Sequence, residues 1–444
     1  MRYTFTFACA LFVFSAGLAA QTPQTVEGRL LEMLRENGLI SATQFEELSG
    51  IAAEMRLEQD VVERVAAQVD EMISHLQDEP PVTRYRRSRG WTWESPNGKF
   101  RMSLGGRLQV RFTNDFWDKN AETDDENEPD FDVPRARVIM RGNAFSKDIK
   151  YKLQFDIAGD EADTEVQPLL GDPVLYKSDN ELSELKDAYF QYERWDWMKI
   201  RWGQFKVPYS RHFLTSSGEL QFVDRSETDK VFTPGRDVGV MISGKAGGAD
   251  DELFEYYLAA FDGDGENRTN DDHGLLYALR LAVNPLGGVA YTETDVKHSD
   301  DFRFALGVNG WLHQDDNHAD EGDDWSVGGD LAAFWNGFSL LVEFHYSEMD
   351  DVPRDDEALG WLAQLGYFVV PETFEIALRA ASIDWEHNGN GNSARREYLV
   401  VLGYFWRDHD LKAQMDFGRI EDHEGDPDDN RDEWRLRLQL QVIF

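Results

Sequence analysis

Over the last eleven residues, apolar and polar side chains alternate with a period of two. In an extended strand Trp434, Leu436, Leu438, Leu440, Val442 and Phe444 share one face, while Arg435, Arg437, Gln439 and Gln441 share the other. This suits a strand with lipid on one side and water on the other, which crosses a membrane in about 9–11 residues. A soluble sheet can alternate in the same way, but its apolar face then needs a covering layer.

The same texture runs from Trp91 to the end. Sixteen candidate strands begin near Phe100, Pro134, Ile149, Leu185, Trp197, Gly235, Leu253, Leu275, Phe302, Trp325, Phe338, Leu359, Phe374, Ala394, Leu411 and Glu433. Odd-numbered strands are followed by polar, mostly acidic stretches such as 115–132, 159–184, 262–272 and 421–432. Most even-numbered strands are followed by short turns, among them Asn336-Gly337, a strong two-residue hairpin signal. The connection Asn284–Asp301 breaks this rule. Sorting the long loops to one end predicts an all-β fold, a transmembrane antiparallel β-barrel of about 16 strands spanning residues 91–444.

The amino-terminal part reads differently. An apolar run from Phe5 to Ala20 follows Arg2 and ends in small residues, which predicts a signal peptide over 1–20. Residues 24–79 space their apolar positions by three and four, as amphipathic helices do. Gly38 ends the first helix, and Ser41 with Gln44 can cap the next. The segment reads as a coiled-coil oligomerisation element, a hairpin or a solvated spacer; residues 80–90, with Pro80, Pro81 and several arginines, read as a linker.

Composition narrows the function classes. The net charge of −39 leaves no basic surface for nucleic acid. A mean hydropathy of −0.55 excludes a helical membrane bundle. The single cysteine, Cys9, lies in the predicted signal, so the mature chain has no disulfide and no thiolate metal site. Asp262–Asn267 lacks full calcium-loop spacing, the histidines show no ligand spacing, and no serine, histidine and aspartate order suggests a hydrolase. The reading is a channel, with no catalytic residues, metal or cofactor. A lipid-hydrolysing barrel enzyme would need a nucleophile and base on the outer rim.

Assigning faces by the period-two rule puts Leu108, Val110, Val138, Leu153, Leu279, Leu306, Val342 and Leu378 outside. A charge on that side at the bilayer midplane costs ~2–4 kcal/mol. The inner face collects Arg107, Arg111, Arg135, Arg137, Arg141, Lys199, Arg201, Arg280, Arg435 and Arg437. A cationic wall favours anions; equally, inward Asp156, Asp187, Glu343, Glu375 and Asp416 would pair with these bases and only stiffen the wall. The connection at about 206–234 carries Phe213, Leu214, Leu220, Phe222 and Val223, too apolar for an exposed loop, and is expected to fold inward and narrow the pore.

The chain resembles the phosphate-selective porin O/P family. The resemblance rests on Gly105-Gly106-Arg107-Leu108-Gln109, Pro134-Arg135-Ala136-Arg137-Val138, Tyr151–Asp156, Leu185–Tyr192, Gly203–Ser210 and Phe232–Gly239. It implies an outer-membrane porin, usually trimeric, whose third extracellular loop enters the pore and whose eyelet arginines and lysines select phosphate or polyphosphate. Arg107, Arg135 and Arg137 match its arginine-bearing motifs, and Lys206 and Arg236 flank the constriction loop. Expected partners are lipid and lipopolysaccharide, a homotrimer, and the barrel-assembly machinery through Phe444. The alternatives are a general or differently selective porin and a structural outer-membrane anchor.

Overall fold

A computed structural model describes residues 26–51, 63–64, 67–68, 81–87, 89–117, 129–158, 184–247, 252–268, 274–314, 323–351, 354–387, 391–423 and 431–444. The expected signal peptide, the acidic loop at 315–322 and most of the helical segment beyond 51 lie outside them. The chain divides into two compact units, Met1–Glu79 and Pro80–Phe444.

In the first unit, helix α1 spans Val26–Glu36. Gly38 turns the chain with φ of 70°, a conformation that glycine adopts without steric cost. The next helix starts at 42 behind the expected capping box. Gln44 N–H donates to Ser41 Oγ at 3.3 Å, and Ser41 N–H donates to Gln44 Oε1 at 3.0 Å.

The second unit opens with a hairpin of β1 (Val82–Arg86) and β2 (Gly90–Glu94). Sixteen longer strands follow. They are β3 (Arg101–Trp117), β4 (Pro129–Asn143), β5 (Ile149–Asp156), β6 (Glu184–Trp195), β7 (Met198–Lys206), β8 (Arg236–Ala246), β9 (Phe254–Phe261) and β10 (Leu276–Val283). Then come β11 (Arg303–His313), β12 (Asp324–Trp335), β13 (Phe338–Asp351), β14 (Arg354–Val370), β15 (Phe374–His387), β16 (Gly391–Arg407), β17 (Leu411–His423) and β18 (Arg431–Ile443). Each pairs antiparallel with the next, and β18 returns to β3, with Ile443 opposite Arg107 and Glu433 opposite Trp117. The barrel is closed, so it leaves no sheet edge in lipid.

The predicted faces hold. Val138, Leu279, Leu306, Val342, Leu378 and Leu440 stand exposed on the outside, and aromatic residues such as Trp195, Trp197, Trp335 and Trp406 flank the short turns. Thr92, Gln109, Arg280, Asp330, Glu343, Arg379 and Asp416 are buried inside.

Residues 82–94 depart from expectation, because much of the supposed linker is paired strand. β18 runs out opposite Gly106, and β2 takes over the same edge of β3, with Trp91 opposite Leu104 and Glu94 opposite Arg101. Buried Thr92 and Ser103 share a hydroxyl hydrogen bond at 2.7 Å, and Arg87 pairs with Asp410 at 2.7 Å. Two prolines and four arginines hide this hairpin from the period-two rule.

Phe444 seals the seam. Its N–H donates to Gly106 O at 3.0 Å, and Gly106 N–H donates to Phe444 O at 2.8 Å. A Cβ on Gly105 would lie 2.6 Å from the Phe444 carbonyl oxygen, and one on Gly106 would lie 2.7 Å from the Phe444 ring. The carbonyl is backbone and cannot swing away. Gly105→Ala is therefore expected to cost about 1–3 kcal/mol, within the range for overpacking a close contact. A lowered urea midpoint for unfolding from lipid vesicles, with Gly106→Ala less affected, is the expected measurement.

Candidate functional site

Between β7 and β8 the chain leaves the wall and crosses the lumen as the loop 207–235. Two short helices shape it, α2 (Arg211–Leu214) and α3 (Glu227–Phe232), capped by Ser210 and Ser226. Its apolar residues explain why it stays inside. Val207, Tyr209, Phe222 and Phe232 are fully buried. Phe222 packs on Ala377, Leu399 and Val401 of the wall, while Phe232 joins Phe205, Phe261 and Trp311.

Irregular backbone at membrane depth must find hydrogen-bond partners in the protein. The wall provides them strand by strand. Arg280 of β10 donates to Tyr209 O at 3.0 Å, Trp311 of β11 to Phe232 O at 3.1 Å, and Arg379 of β15 to Asp224 O at 3.0 Å. Lys412 of β17 donates to Leu220 O at 2.7 Å and Gln441 of β18 to Gly218 O at 2.9 Å. Carboxylates of Glu343, Glu397 and Asp416 accept the N–H groups of His212, Glu227 and Val223. The loop thus leans on β3 and on β10 to β18.

This docking separates the predicted pore cations into groups. Arg280 is sealed against Asp330 at 2.5 and 3.0 Å, and Arg437 is held bidentately by Asp416 at 2.9 Å twice. Both were expected to line the channel; both are instead buried beneath the loop as anchors. Arg435 lies toward the outer end of β18, bonded to Asp115 at 3.0 Å and paired with Glu433. Lys206 serves the root of the loop, donating to the carbonyls of Phe213 and Thr215, and Arg236 pairs with Asp187 at 2.9 Å.

The others form a basic face. Arg107 lies opposite Arg137 in register, and both donate to Ser217 Oγ, at 2.8 and 3.1 Å. Arg137 also pairs with Asp156 at 2.6 Å. Arg111 and Arg135 reach the loop's Asp224 at 3.1 and 2.8 Å. Toward the short-turn end, half-buried Arg141 lies opposite Lys152. Arg201 stacks 4.3 Å from the Tyr189 ring and donates to Gln191 at 2.8 Å, with Lys199 two residues away. Within ion-pair distance Arg107 and Arg201 have no carboxylate among the described residues.

Asp224 is the loop carboxylate that meets this face, and the residue that the alternation could not identify. Burial works to raise its pKa, but Arg135 and Arg111 hold it well below the usual carboxylate range. A depressed folded pKa adds stability above the unfolded value of about 4, lost only as pH falls through the folded value. Hence the clamp stays charged in mild acid. Thr215-Ser216-Ser217 belongs to the stretch that resembles the family, but nothing local marks Ser217 as a bridge between two arginines.

The chain is similar to known proteins. Residues 105–444 match the family of phosphate-selective porin O and P. An uncharacterized protein of Aquifex aeolicus is 25% identical over 374 residues, covering 76% of this chain and 86% of that one. Among solved structures, an anion-selective porin from Comamonas acidovorans superposes with a TM-score of 0.51 at 10% identity, over 77% of this chain and 99% of that one. OprB of Pseudomonas putida also gives a TM-score of 0.51 at 10% identity, over 77% of this chain and 94% of that one. The outer membrane channel DcaP of Acinetobacter baumannii gives 0.50 at 13% identity, over 77% of this chain and 97% of that one. At these identities the structures share the fold.

Asp224→Asn removes the carboxylate that Arg111 and Arg135 share. Reversal potentials in salt gradients should then shift toward stronger anion preference, and the unfolding midpoint should fall.

Proposed function

The chain belongs to the phosphate-selective porin O and P family, and from that membership we propose that it passes small anions, phosphate or polyphosphate among them, through the gap between loop 207–235 and the basic face of β3 to β8. Family and fold support a passive diffusion channel of the outer membrane, and the protein is read as a channel and not as an enzyme. The observation that carries the anion reading is the grouping of Arg107, Arg111, Arg135 and Arg137 around a loop that offers one carboxylate, Asp224, to them. An anion passing here meets guanidinium donors, whose charge-assisted hydrogen bonds are strong. Arg141, Lys199 and Arg201 extend the basic face toward the short-turn end.

The acidic loops, which dominate the net charge of −39, oppose anions at the mouth, but salt screens them over about 8–10 Å. A general porin is the second reading, favoured by Asp156 and Asp187, which neutralise Arg137, Arg236 and Lys152. The porin is read as a homotrimer set in lipid and lipopolysaccharide, exported by the segment 1–20 and inserted through Phe444, with residues 24–79 as a coiled-coil or anchoring element.

In planar bilayers the protein is expected to conduct, to give anion-over-cation reversal potentials, and to show chloride current inhibited by added phosphate. Cation preference would overturn the anion reading. Equal anion and cation permeability would favour the general porin.

A further inference from the structure

The connection 284–302, between β10 and β11, lies at the end of the barrel where the other connections are short turns. It does not hang below the rim. Val289, Glu293, Thr294, Asp295 and Val296 are buried, and the segment meets loop 207–235 from beneath. Arg211 of the loop donates to the carbonyl oxygens of Val289 and Ala290 at 3.2 and 2.5 Å, and Glu293 N–H donates to Glu219 O at 3.3 Å. Beyond Glu293 the segment is tied to other turns. Thr294 bonds His409 at 2.9 Å, and Asp295 accepts the Gly337 N–H at 2.8 Å.

Glu293 is the centre of this junction. Its Oε1 lies 2.6 Å from His212 Nδ1, and its Oε2 accepts from Gln221 N–H at 2.9 Å and from the Gln364 amide of β14 at 3.1 Å. Ser226 N–H donates to the other ring nitrogen of His212 at 3.0 Å. A backbone N–H can only donate, so Nε2 carries the lone pair and Nδ1–H donates to Glu293. One carboxylate therefore ties both arms of the constriction loop to the wall and to the segment below.

On the reading of the protein as a diffusion porin, we propose that segment 284–302 is a second constriction element and that Glu293 is the positioning residue that sets the aperture by holding loop 207–235 through His212 and Gln221. The solute then passes on the β3 to β8 side, where the loop faces the arginines. The arrangement also makes the aperture proton-sensitive. A second proton on His212 would sit at Nε2, against Ser226 N–H, and break the bond that holds the N-cap residue of α3. The charged groups about His212 are Glu293 of the segment, Asp229 and Arg225 of the loop, Glu343 and His345 of β13, and Arg379 of β15. Burial works to lower the His212 pKa, but Glu293 and Asp229 outweigh it and raise it.

Single-channel recording in planar bilayers tests this with wild type, Glu293→Ala, Glu293→Gln, His212→Gln and the double variant His212→Gln/Glu293→Ala. Folding of each is checked by circular dichroism and by heat-dependent mobility in SDS. Glu293→Ala should raise unitary conductance, add open-channel noise and weaken anion discrimination. Glu293→Gln, which keeps an acceptor for Gln221 N–H, should restore much of the conductance but lose the wild-type change of current with pH. The double variant should resemble Glu293→Ala, because both residues act through one contact. A folded Glu293→Ala porin with wild-type conductance, noise and reversal potential overturns the proposal, as does additivity in the double variant. Wild-type protein that folds but does not conduct instead overturns the porin reading.

Discussion

A loop of irregular backbone held at membrane depth has no water on which to rely, and the rest of the lumen is arranged around that need. Every N–H and C=O of segment 207–235 that faces the wall meets either a side chain or a costly void. Lysine, arginine, glutamine and tryptophan donors and glutamate and aspartate acceptors on β3 and β10 to β18 fill that role. Much of the polar inner face is therefore structural. Removing one partner of a buried pair such as Arg280–Asp330 strands a charge, which typically costs about 3–5 kcal/mol.

The same constraint explains the asymmetry of the pore. Where the loop leans on the wall, cations such as Arg280, Arg379 and Arg437 are consumed by carboxylates and carbonyls. On β3 and β7, by contrast, Arg107 keeps contact with a serine hydroxyl of the loop and Arg201 with a glutamine amide and a tyrosine ring, and neither has a carboxylate at ion-pair distance among the described residues. One strand alternation thus yields two populations of inward base. Neutral partners matter here: a serine hydroxyl or a glutamine amide orients a guanidinium without cancelling its charge.

Much of the barrel was legible because lipid and water enforce a sharp choice at every second residue. Expected strand starts at Ile149, Trp197, Gly235, Leu253, Phe338, Phe374 and Leu411 fall within one residue of the observed ones. The starts near Pro134 and Leu359 fall five residues late, since β4 and β14 extend beyond the lipid span, where the alternation no longer has to hold. The inward course of loop 207–235 was readable from its apolar content. The hairpin at 82–94 was not, because its edge position is created by where β18 stops. Connection 284–302 was readable only as an irregularity.

Periodicity together with the sorting of long and short connections determined the barrel, the membrane as its surroundings and the side of the wall on which each charge lies, because a strand has only two faces and lipid tolerates no charge on the outer one. Tertiary structure decided which charges remain available. Whether Arg107 faces a serine or a carboxylate depends on Ser217, more than a hundred positions away, and Arg437 is held by Asp416, a carboxylate that also accepts the N–H of the distant loop residue Val223. Period two has no term for such distances. The charge of the wall is local information; the charge of the passage is a property of the folded loop within it.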